Sequence, residues 1–448
     1  MRRVAIAGRQ LRERGTGRRD ERVCICVESA LNGSIACFRW EKGCMELVQV
    51  MMLREYQSNQ FVGLILKQLN TGSCFLHQVG VWSLIMNTDQ TVEYTAYYGT
   101  SGSDETNGIY RQFLSNAPLS LDDPELISHH NKAGFLRLNR KGDLLYAIET
   151  GSEGEGQVNA FSRDSSTGDL SLLGSQAAGG GGLCHLNLDR SERWLLSTSY
   201  NDAFVTVFPL AVDGTVGELS QSFQLEGAGS QANPERQEAP HAHSVYTDPT
   251  NRYVFVCDLG MDRIYVYAFD VETGVLTPAS TPYAEAVPGS GPRHLAFHGC
   301  ERWVYAINEL NGTVALYDWN SEVGQLTARQ SVKTLPSDFM GSSTTAEILI
   351  HPNNRYLYAS NRGHDSIVVY SVDESDGSLA LVQRISSGGG HPRNFILDKS
   401  GQLLAVANRD SNNIVFFEVN QKSGMLVQQK RVENVPECTC IRLLGPES

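Results

Sequence analysis

The sequence predicts an all-β fold, a seven-bladed β-propeller of four-stranded antiparallel blades, over residues 91–448. Three observations predict it: one pattern recurs about every fifty residues, each copy holds four short apolar strands, and no helical period lies between them. Four strands per unit without a helix are typical of radial repetition, in which blade faces pack together and open edges stay short. Helical solenoids are excluded.

The repeat is marked by one polar residue in the turn after the first strand of each copy. Six copies are complete from Phe135 onward, with turn residues Asn139, Asp189, Asp248, His298, His351 and Asp398, separated by 50, 59, 50, 53 and 47 residues. Segments such as 263–267 and 366–370 alternate apolar and polar residues, as half-buried strands do. We expect the turn residues to serve the blades and assign them no chemistry.

The seventh blade is predicted from both ends of the repeat region. Segments 95–99 and 108–114 have the pattern of inner blade strands, and segment 438–444 remains as one strand after the last copy. Pairing of that strand with the N-terminal strands would eliminate the free edge of the ring. The sequence therefore predicts ring closure by N- and C-terminal strands.

Residues 1–90 differ from the rest in composition and are predicted to be an atypical N-terminal extension. Residues 1–22 contain eight arginines, and the first 90 residues hold five of the eight methionines and five of the ten cysteines. Arg2 and Arg3 are not followed by the apolar stretch of an export signal, and Glu13 and Asp20 disfavour a transit peptide. Two interpretations stay open: a poorly ordered extension, or a misassigned upstream start with Met86 as the physical beginning.

Charge and cysteine usage limit the partners and the compartment. The net charge of −13 disfavours binding to nucleic acid or to an anionic membrane surface. No apolar run of about 18 residues occurs, which predicts a water-soluble chain. Cys184, Cys257 and Cys300 lie inside predicted strands at unrelated repeat positions, as buried thiols of a reducing compartment do. We expect a cytoplasmic protein that is a monomer or a weak homo-oligomer.

Repeat geometry brings two sets of positions to one mouth of the central channel. The first strand of a blade lines the channel and the second runs antiparallel to it, so the start of one and the end of the other share a face. The residues opening the first strand vary and are mostly polar: Gly134-Phe135, Cys184-His185, His243-Ser244, Arg293-His294, Ala346-Glu347 and Arg393-Asn394. The second strand ends in a recurring turn-forming residue and a variable one: Asp258-Leu259, Asn308-Glu309, Asn361-Arg362 and Asn408-Arg409. What recurs serves the blade, and what varies is free to bind a ligand.

The variable residues suit acid-base chemistry on an anion. Arg293, Arg362 and Arg393 would bind carboxylate or phosphate bidentately. Glu309 and His243 would supply a proton acceptor and a donor, their protonation states set by neighbouring charges. A solvated polar rim with internal ion pairs is the alternative interpretation.

Other chemistries have weaker support. Pro240-His-Ala-His243 places two histidines at strand spacing, but no acidic or cysteine partner for a metal lies nearby in sequence. Ser244 lacks a nucleophile elbow, Cys184 has no helix start, and the glycine run 179–182 leads into a strand and lacks the lysine of a phosphate loop. Water or a group of the substrate itself is therefore the expected attacker.

These motifs resemble those of the bacterial seven-bladed propeller lactonases, the 6-phosphogluconolactonase or 3-carboxymuconate cyclase-like family, over residues 94–444. The resemblance rests on segments 184–189, 233–244, 291–297, 308–310, 346–347, 360–366 and 392–394. It implies a site formed by His243 or His241 with Arg293, Glu309 and Arg362, and it implies no cofactor and no metal. We therefore predict catalytic roles for His243, Arg293, Glu309 and Arg362, and substrate contacts for His241, His185, His294, Glu347 and Arg393.

Three functions are consistent with this set. The leading hypothesis is a lactonase that hydrolyses 6-phospho-glucono-1,5-lactone to 6-phosphogluconate in the pentose phosphate pathway, with a small anionic substrate as its partner. The second is a lactonising cycloisomerase acting on a carboxylated muconate, which needs the same kind of anion pocket. The third is a non-catalytic scaffold, which has little reason to gather Arg, His and Glu at one channel mouth.

Overall fold

The computed structural model describes residues 23–28, 34–41, 44–52, 93–102, 104–116, 119–150 and 154–445. The chain divides into two units, Met1–Met86 and Asn87–Ser448. In the first unit, β1 (Val23–Glu28), β2 (Ser34–Glu41) and β3 (Cys44–Met52) form an antiparallel sheet in that order. The remainder of the expected extension lies outside the described residues, so its order and its true start stay predictions.

The described part of the second unit contains seven antiparallel sheets. One of these sheets combines strands from the N-terminal and the C-terminal parts of this unit. Its N-terminal strands are β4 (Glu93–Thr100), β5 (Gly108–Asn116), β6 (Leu119–Leu121) and β7 (Glu125–His129). No helix in the described residues is long and apolar enough to cross a bilayer.

Six blades follow, each a meander in which strands neighbouring in sequence are paired. Blades 1 to 3 contain β8 (Leu136–Leu138), β9 (Leu144–Thr150), β10 (Glu155–Arg163), β11 (Leu170–Gly181); β12 (Leu183–Leu188), β13 (Trp194–Ser199), β14 (Phe204–Pro209), β15 (Gln221–Gln224); and β16 (Ala242–Thr247), β17 (Tyr253–Asp258), β18 (Arg263–Asp270), β19 (Val275–Glu285). Blades 4 to 6 contain β20 (Pro292–Phe297), β21 (Trp303–Asn308), β22 (Thr313–Asn320), β23 (Gln325–Lys333); β24 (Thr344–Ile350), β25 (Tyr356–Arg362), β26 (Ser366–Val372), β27 (Leu379–Ser386); and β28 (Pro392–Leu397), β29 (Leu403–Asn408), β30 (Asn413–Val419), β31 (Leu426–Glu433).

The last strand of the chain closes the ring, as predicted. Strand β32 (Cys438–Leu444) pairs antiparallel with β4, so that Leu444 lies opposite Thr95, and the sheet order is β32-β4-β5-β6 with β7 also paired to β5. The innermost position in this blade is therefore taken by the C-terminal strand, and segment 95–99 forms the second strand. The seven innermost strands β8, β12, β16, β20, β24, β28 and β32 surround the channel.

The recurring turn residues hold the turns on the face opposite the varied residues. Asp189 Oδ1 accepts from the amides of Arg193 and Trp194 at 2.8 Å; Asp248 repeats this pattern, and Asp398 repeats its second bond. The histidines do the same with an imidazole: His351 Nδ1 accepts from the Asn353 amide at 3.1 Å, and its Nε2 lies 2.9 Å from the Gly401 carbonyl of the next blade. These side chains stabilise turns and blade contacts.

Buried tyrosines of the second strands join neighbouring blades. Tyr146 donates its hydroxyl proton to the Gly214 carbonyl at 3.0 Å, and Tyr305 and Tyr358 bond the corresponding glycines of their next blades at 2.7 and 2.9 Å. Large apolar side chains from facing sheets fill the space between blades in clusters that each span two or three sheets. Each blade thus places the start of its innermost strand at a fixed height around the channel.

Candidate active site

A β-bulge opens the innermost strand of six blades. The register shifts between Leu183 and His185, Ala242 and Ser244, Pro292 and His294, Thr345 and Ile348, Pro392 and Asn394, and Cys438 and Cys440. A bulged residue leaves the ladder, so its side chain is free to point elsewhere, and bulges are common beside active sites. The bulge positions hold Cys184, His243, Arg293, Ala346 with Glu347, Arg393 and Thr439, which accounts for the variable column in the sequence.

Glu309 lies at the centre of a cage of three arginines. Arg293 Nε donates to its Oε2 at 2.9 Å, Arg362 Nη2 lies 2.9 Å from the same oxygen, and Arg236 Nη2 donates to Oε1 at 2.7 Å. Arg293 and Arg362 are further fixed by bonds to the carbonyls of Ala346 and Thr345, at 2.7 and 2.6 Å. Three cations around one carboxylate leave a net positive charge.

That charge decides which groups can move a proton. Burial alone would raise the pKa of Glu309, but the charges of Arg362, Arg293 and Arg236 outweigh burial and hold the pKa well below its usual range. Glu309 is therefore ionised and a poor proton acceptor at neutral pH. Burial lowers the pKa of Arg362 to about 10 despite the attraction of Glu309, so Arg362 remains a cation at neutral pH.

His243 is the neutral imidazole of this cluster. Its Nε2 lies 3.9 Å from Glu309 Oε2, and its Nδ1 is buried without a hydrogen-bond partner among the described residues. Burial, followed by the charges of Arg293 and other neighbouring cations, lowers the pKa of His243 well below its usual range. At neutral pH a neutral imidazole faces an ionised carboxylate.

Arg393 differs in its contacts from the arginines around Glu309. Its half-buried guanidinium makes no hydrogen bond and no ion pair within the described part of the chain, and burial together with the charges of Arg293 and Arg362 lowers its pKa to about 9. The nearby carboxylate of Asp410 is occupied by Arg409 Nε at 2.6 Å and lies 3.3 Å from His391 Nδ1. An anion bound here would relieve the repulsion among these arginines.

A second layer supports the cluster from inside the channel. His294 Nδ1 lies 2.9 Å from Glu347 Oε1, and Asn394 donates its amide to the other Glu347 oxygen. Arg293 Nη1 lies 3.2 Å from His294 Nε2, so this pair fixes the arginine. Burial lowers the pKa of His294 in spite of Glu347, and burial of Glu347 is outweighed by His294 and its hydrogen bonds, so its pKa is also lowered.

His185 and His241 lie outside the arginine cage. The His185 ring packs 4.4 Å from Phe135 and 5.3 Å from His294, measured between ring centroids, and burial lowers its pKa well below the usual range. His241 stacks on Tyr200 at 4.4 Å, and its Nδ1 and Nε2 lie 2.8 Å from the Tyr200 carbonyl and 3.1 Å from Glu238. Because both nitrogens of His241 are engaged, His243 is the better placed of the two for proton transfer.

The prediction missed Arg236 and Tyr200. Arg236 donates to the Tyr200 hydroxyl at 3.0 Å as well as to Glu309, and its side chain is 38% exposed against 4% for Glu309. It lies in the connection 225–241 between β15 and β16. The signal was present in the repeat, because the 59-residue separation of Asp189 and Asp248 exceeds the others and marks an insertion.

The nearby thiol and histidines do not offer other chemistry. Cys184 Sγ donates to the His243 carbonyl at 3.1 Å, and burial raises the pKa of Cys184 to about 11, so its thiolate is scarce at neutral pH. Within the described residues no group of three His, Cys, Asp or Glu side chains is arranged to hold a metal ion.

The chain matches the family described as Lactonase, 7-bladed beta-propeller over residues 95–443. It is 34% identical over 353 residues to a 6-phosphogluconolactonase of Bacillus subtilis, covering 79% of this chain and 99% of that protein. It is 36% identical over 280 residues to a 6-phosphogluconolactonase of Formosa agariphila, covering 61% and 77%. Among solved structures, the periplasmic gluconolactonase PpgL of Pseudomonas aeruginosa is similar at a TM-score of 0.74 and 26% identity, covering 79% of this chain and 99% of that one.

Proposed function

The chain belongs to the family of seven-bladed β-propeller lactonases, and we propose on this premise that it hydrolyses 6-phospho-glucono-1,5-lactone to 6-phosphogluconate. The observation that carries the proposal is Arg393, whose guanidinium has no partner among the described residues and lies near a caged carboxylate and a neutral imidazole. The muconate cycloisomerase is not favoured, because the two named relatives are both 6-phosphogluconolactonases.

Arg393 would hold the phosphate of the substrate. A guanidinium binds phosphate through two parallel hydrogen bonds, and this one has no competing partner among the described residues. Arg236 covers Glu309 from the solvent side, since it is the more exposed of the pair. It is therefore the arginine that an incoming lactone meets first.

His243 would act as general base and then as general acid. As the oxygen of a water molecule forms a bond to the lactone carbonyl carbon, His243 takes the proton of that water. The negative charge that develops on the carbonyl oxygen is stabilised by the fixed guanidiniums of Arg293 and Arg362. The bond between this carbon and the ring oxygen then breaks, and the imidazolium of His243 returns the proton to the ring oxygen, which becomes a hydroxyl group.

Glu309 would act as a positioning residue. Its carboxylate holds Arg293, Arg362 and Arg236 by bonds of 2.7 to 2.9 Å, and its negative charge 3.9 Å from His243 stabilises the imidazolium. His294 and Glu347 fix Arg293 from the layer beneath. No metal and no cofactor enters this proposal.

Lactone hydrolysis at neutral pH, with the spontaneous rate subtracted, tests the proposal. We expect His243→Ala and Arg293→Ala to lower kcat by about 10²- to 10³-fold, the usual effect of removing a general base or an oxyanion donor. Arg302→Ala is the matched control, because Arg302 is exposed and lies on the turn before β21, at the other end of the blade. Wild-type activity in Arg293→Ala and Glu309→Gln would refute the site.

We propose that residues 1–90 are not required for catalysis, because the family match and all site residues lie beyond them. We propose a cytoplasmic location and a monomer or weak homo-oligomer, supported by the free cysteines Cys184, Cys257, Cys300, Cys438 and Cys440 and by a site built from one chain. The Pseudomonas aeruginosa neighbour is named as periplasmic, so fractionation of cells decides the compartment. Sedimentation decides the oligomeric state.

A further inference from the structure

A second pair of arginines lies deeper in the central channel. Arg137 is on β8 and Arg442 on β32, two innermost strands that are neighbours around the ring. Arg137 follows Phe135 by two residues, and Arg442 follows Cys440 by two residues. Phe135 and Cys440 occupy the same position in their blades as His294, which lies directly beneath the arginine cage. At about 3.3 Å per residue, the two arginines start about 7 Å further from the active-site mouth.

Aromatic rings separate this pair from the active site. Phe135, His185 and His294 come from blades 1, 2 and 4, and their ring centroids lie 4.4, 5.3 and 6.3 Å apart. Tyr246 of blade 3 adds a ring 5.0 Å from His185. The rings of Phe135, His185 and His294, from three blades, therefore lie between the arginine cage and the level of Arg137.

Neither arginine has a counter-ion in the described residues. Arg137 makes no hydrogen bond or ion pair there, and Arg442 donates Nη1 to the Ile441 carbonyl at 2.6 Å while its Nε is buried without a partner. The Arg442 guanidinium lies 4.7 Å above the Phe135 ring, which holds it in the channel. Glu192, whose charge acts on Arg137, accepts a hydrogen bond from the Arg140 amide at 2.7 Å.

The two charges repel each other in a confined space. Desolvation followed by the charge of Arg442 lowers the pKa of Arg137 to about 10, although Arg137 keeps exposed surface. The charge of Arg442 thus acts on a residue that a small anion can reach. Adjacent like charges in such a space raise the local concentration of anions.

We propose that Arg137 and Arg442 form a second anion site, separate from the active site, that binds a small phosphate-class oxyanion. Two guanidinium groups from adjacent strands offer the paired donors that phosphate oxygens accept. The occupant is either free phosphate or the phosphate group of a small ester, and both present the same tetrahedral oxyanion to the pair.

Equilibrium dialysis of the full chain against radiolabelled inorganic phosphate tests the proposal. We expect two phosphates per wild-type chain, one for Arg137→Gln, one for Arg393→Gln and none for the double variant. Arg140→Gln is the matched control and should keep two, because Arg140 is exposed and bonds the Arg190 carbonyl outside the channel. Competition with unlabelled 6-phosphogluconate shows whether a phosphate ester also enters the second site.

No phosphate bound to the wild-type chain, or an Arg137→Gln variant that binds as many phosphates as the wild-type chain, would overturn the proposal. Arg442→Gln repeats the test from the partner strand in case Arg137→Gln folds poorly. Arg137→Gln should keep wild-type lactone hydrolysis. A chain that binds two phosphates but hydrolyses no lactone would overturn the proposed function and leave this site standing, so the two failures are distinguishable.

Discussion

Replacing Arg393 by glutamine should stabilise the protein and weaken it as an enzyme. The fall of the Arg393 pKa to about 9 from the ordinary arginine value corresponds to an unfavourable free energy of roughly 4–5 kcal/mol for holding the charge, at about 1.4 kcal/mol per pKa unit. Because the pKa is lower in the folded chain than in the unfolded chain, the charged group at neutral pH opposes folding. Partial exposure reduces this figure, and we expect Arg393→Gln to raise the free energy of unfolding by about 1–3 kcal/mol.

The same substitution should discriminate between two substrates. A hydrogen bond to a charged group contributes about 1.5–3 kcal/mol, so loss of the phosphate contact should lower kcat/KM for the phosphorylated lactone by about 10- to 150-fold. Glucono-1,5-lactone, which lacks the phosphate, should be hydrolysed at nearly the wild-type kcat/KM. Arg393→Lys is the matched variant and should recover part of the loss, since it keeps the charge without the bidentate geometry. An Arg393→Gln variant that is less stable in urea, or that loses both substrates equally, would refute this reasoning.

Four further results are expected. Glu309→Gln should lower the free energy of unfolding, measured in urea, by about 3–5 kcal/mol, because it leaves buried guanidiniums without their counter-ion. This change is opposite in sign to the one expected for Arg393→Gln. Unchanged stability would contradict the role of Glu309 as the counter-ion of these arginines. Stability should fall as the pH drops below about 6.5, because the unfolded chain then takes up protons on histidines that stay neutral in the folded chain. These histidines are His185, His243 and His294, whose pKa is lowered by burial. A urea midpoint that stays constant from pH 7 to pH 5 would contradict this. For the phosphorylated lactone, the acid limb of kcat should lie at higher pH than that of kcat/KM, because bound phosphate offsets the arginine charges around the base; coincident limbs would count against His243. A chain that starts at Met86 should keep full activity, since the ring closes within 93–445, and a loss of activity would assign the extension a role.

The repeat was enough to predict the blades and most of the residues that the structure brings together in the candidate site. Comparison of equivalent positions separated turn residues such as Asp189 from variable residues such as Arg293, and the structure places the two kinds at opposite ends of the blades. Ring closure followed from one unpaired strand after the last copy. The sequence did not predict that this C-terminal strand takes the innermost position of its blade. The chain enters this blade at its second strand, and the repeat alone does not show whether the N-terminal or the C-terminal segment lines the channel.

Comparison of the repeats could not predict contacts made by an insertion, or the depth of a side chain in the channel. Arg236 comes from an insertion with no equivalent in other blades, so no column comparison could select it. The bulges determine that Arg293 and His294, adjacent in sequence, occupy different layers. The sequence grouped His185 and His294 with the mouth, whereas strand height places them beneath the arginine cage.

Anion selectivity and base strength have one physical cause in this site. The arginines proposed to attract a phosphorylated substrate are the same charges that, together with burial, lower the pKa of His243. A bound dianion cancels part of that positive field, so the pKa of His243 rises only when a substrate with a negative charge is in place. A neutral lactone would reach the same carbonyl-binding groups but would meet a weaker base. The site would therefore favour phosphorylated lactones in the chemical step as well as in binding, because the phosphate strengthens the base that takes the proton of the attacking water.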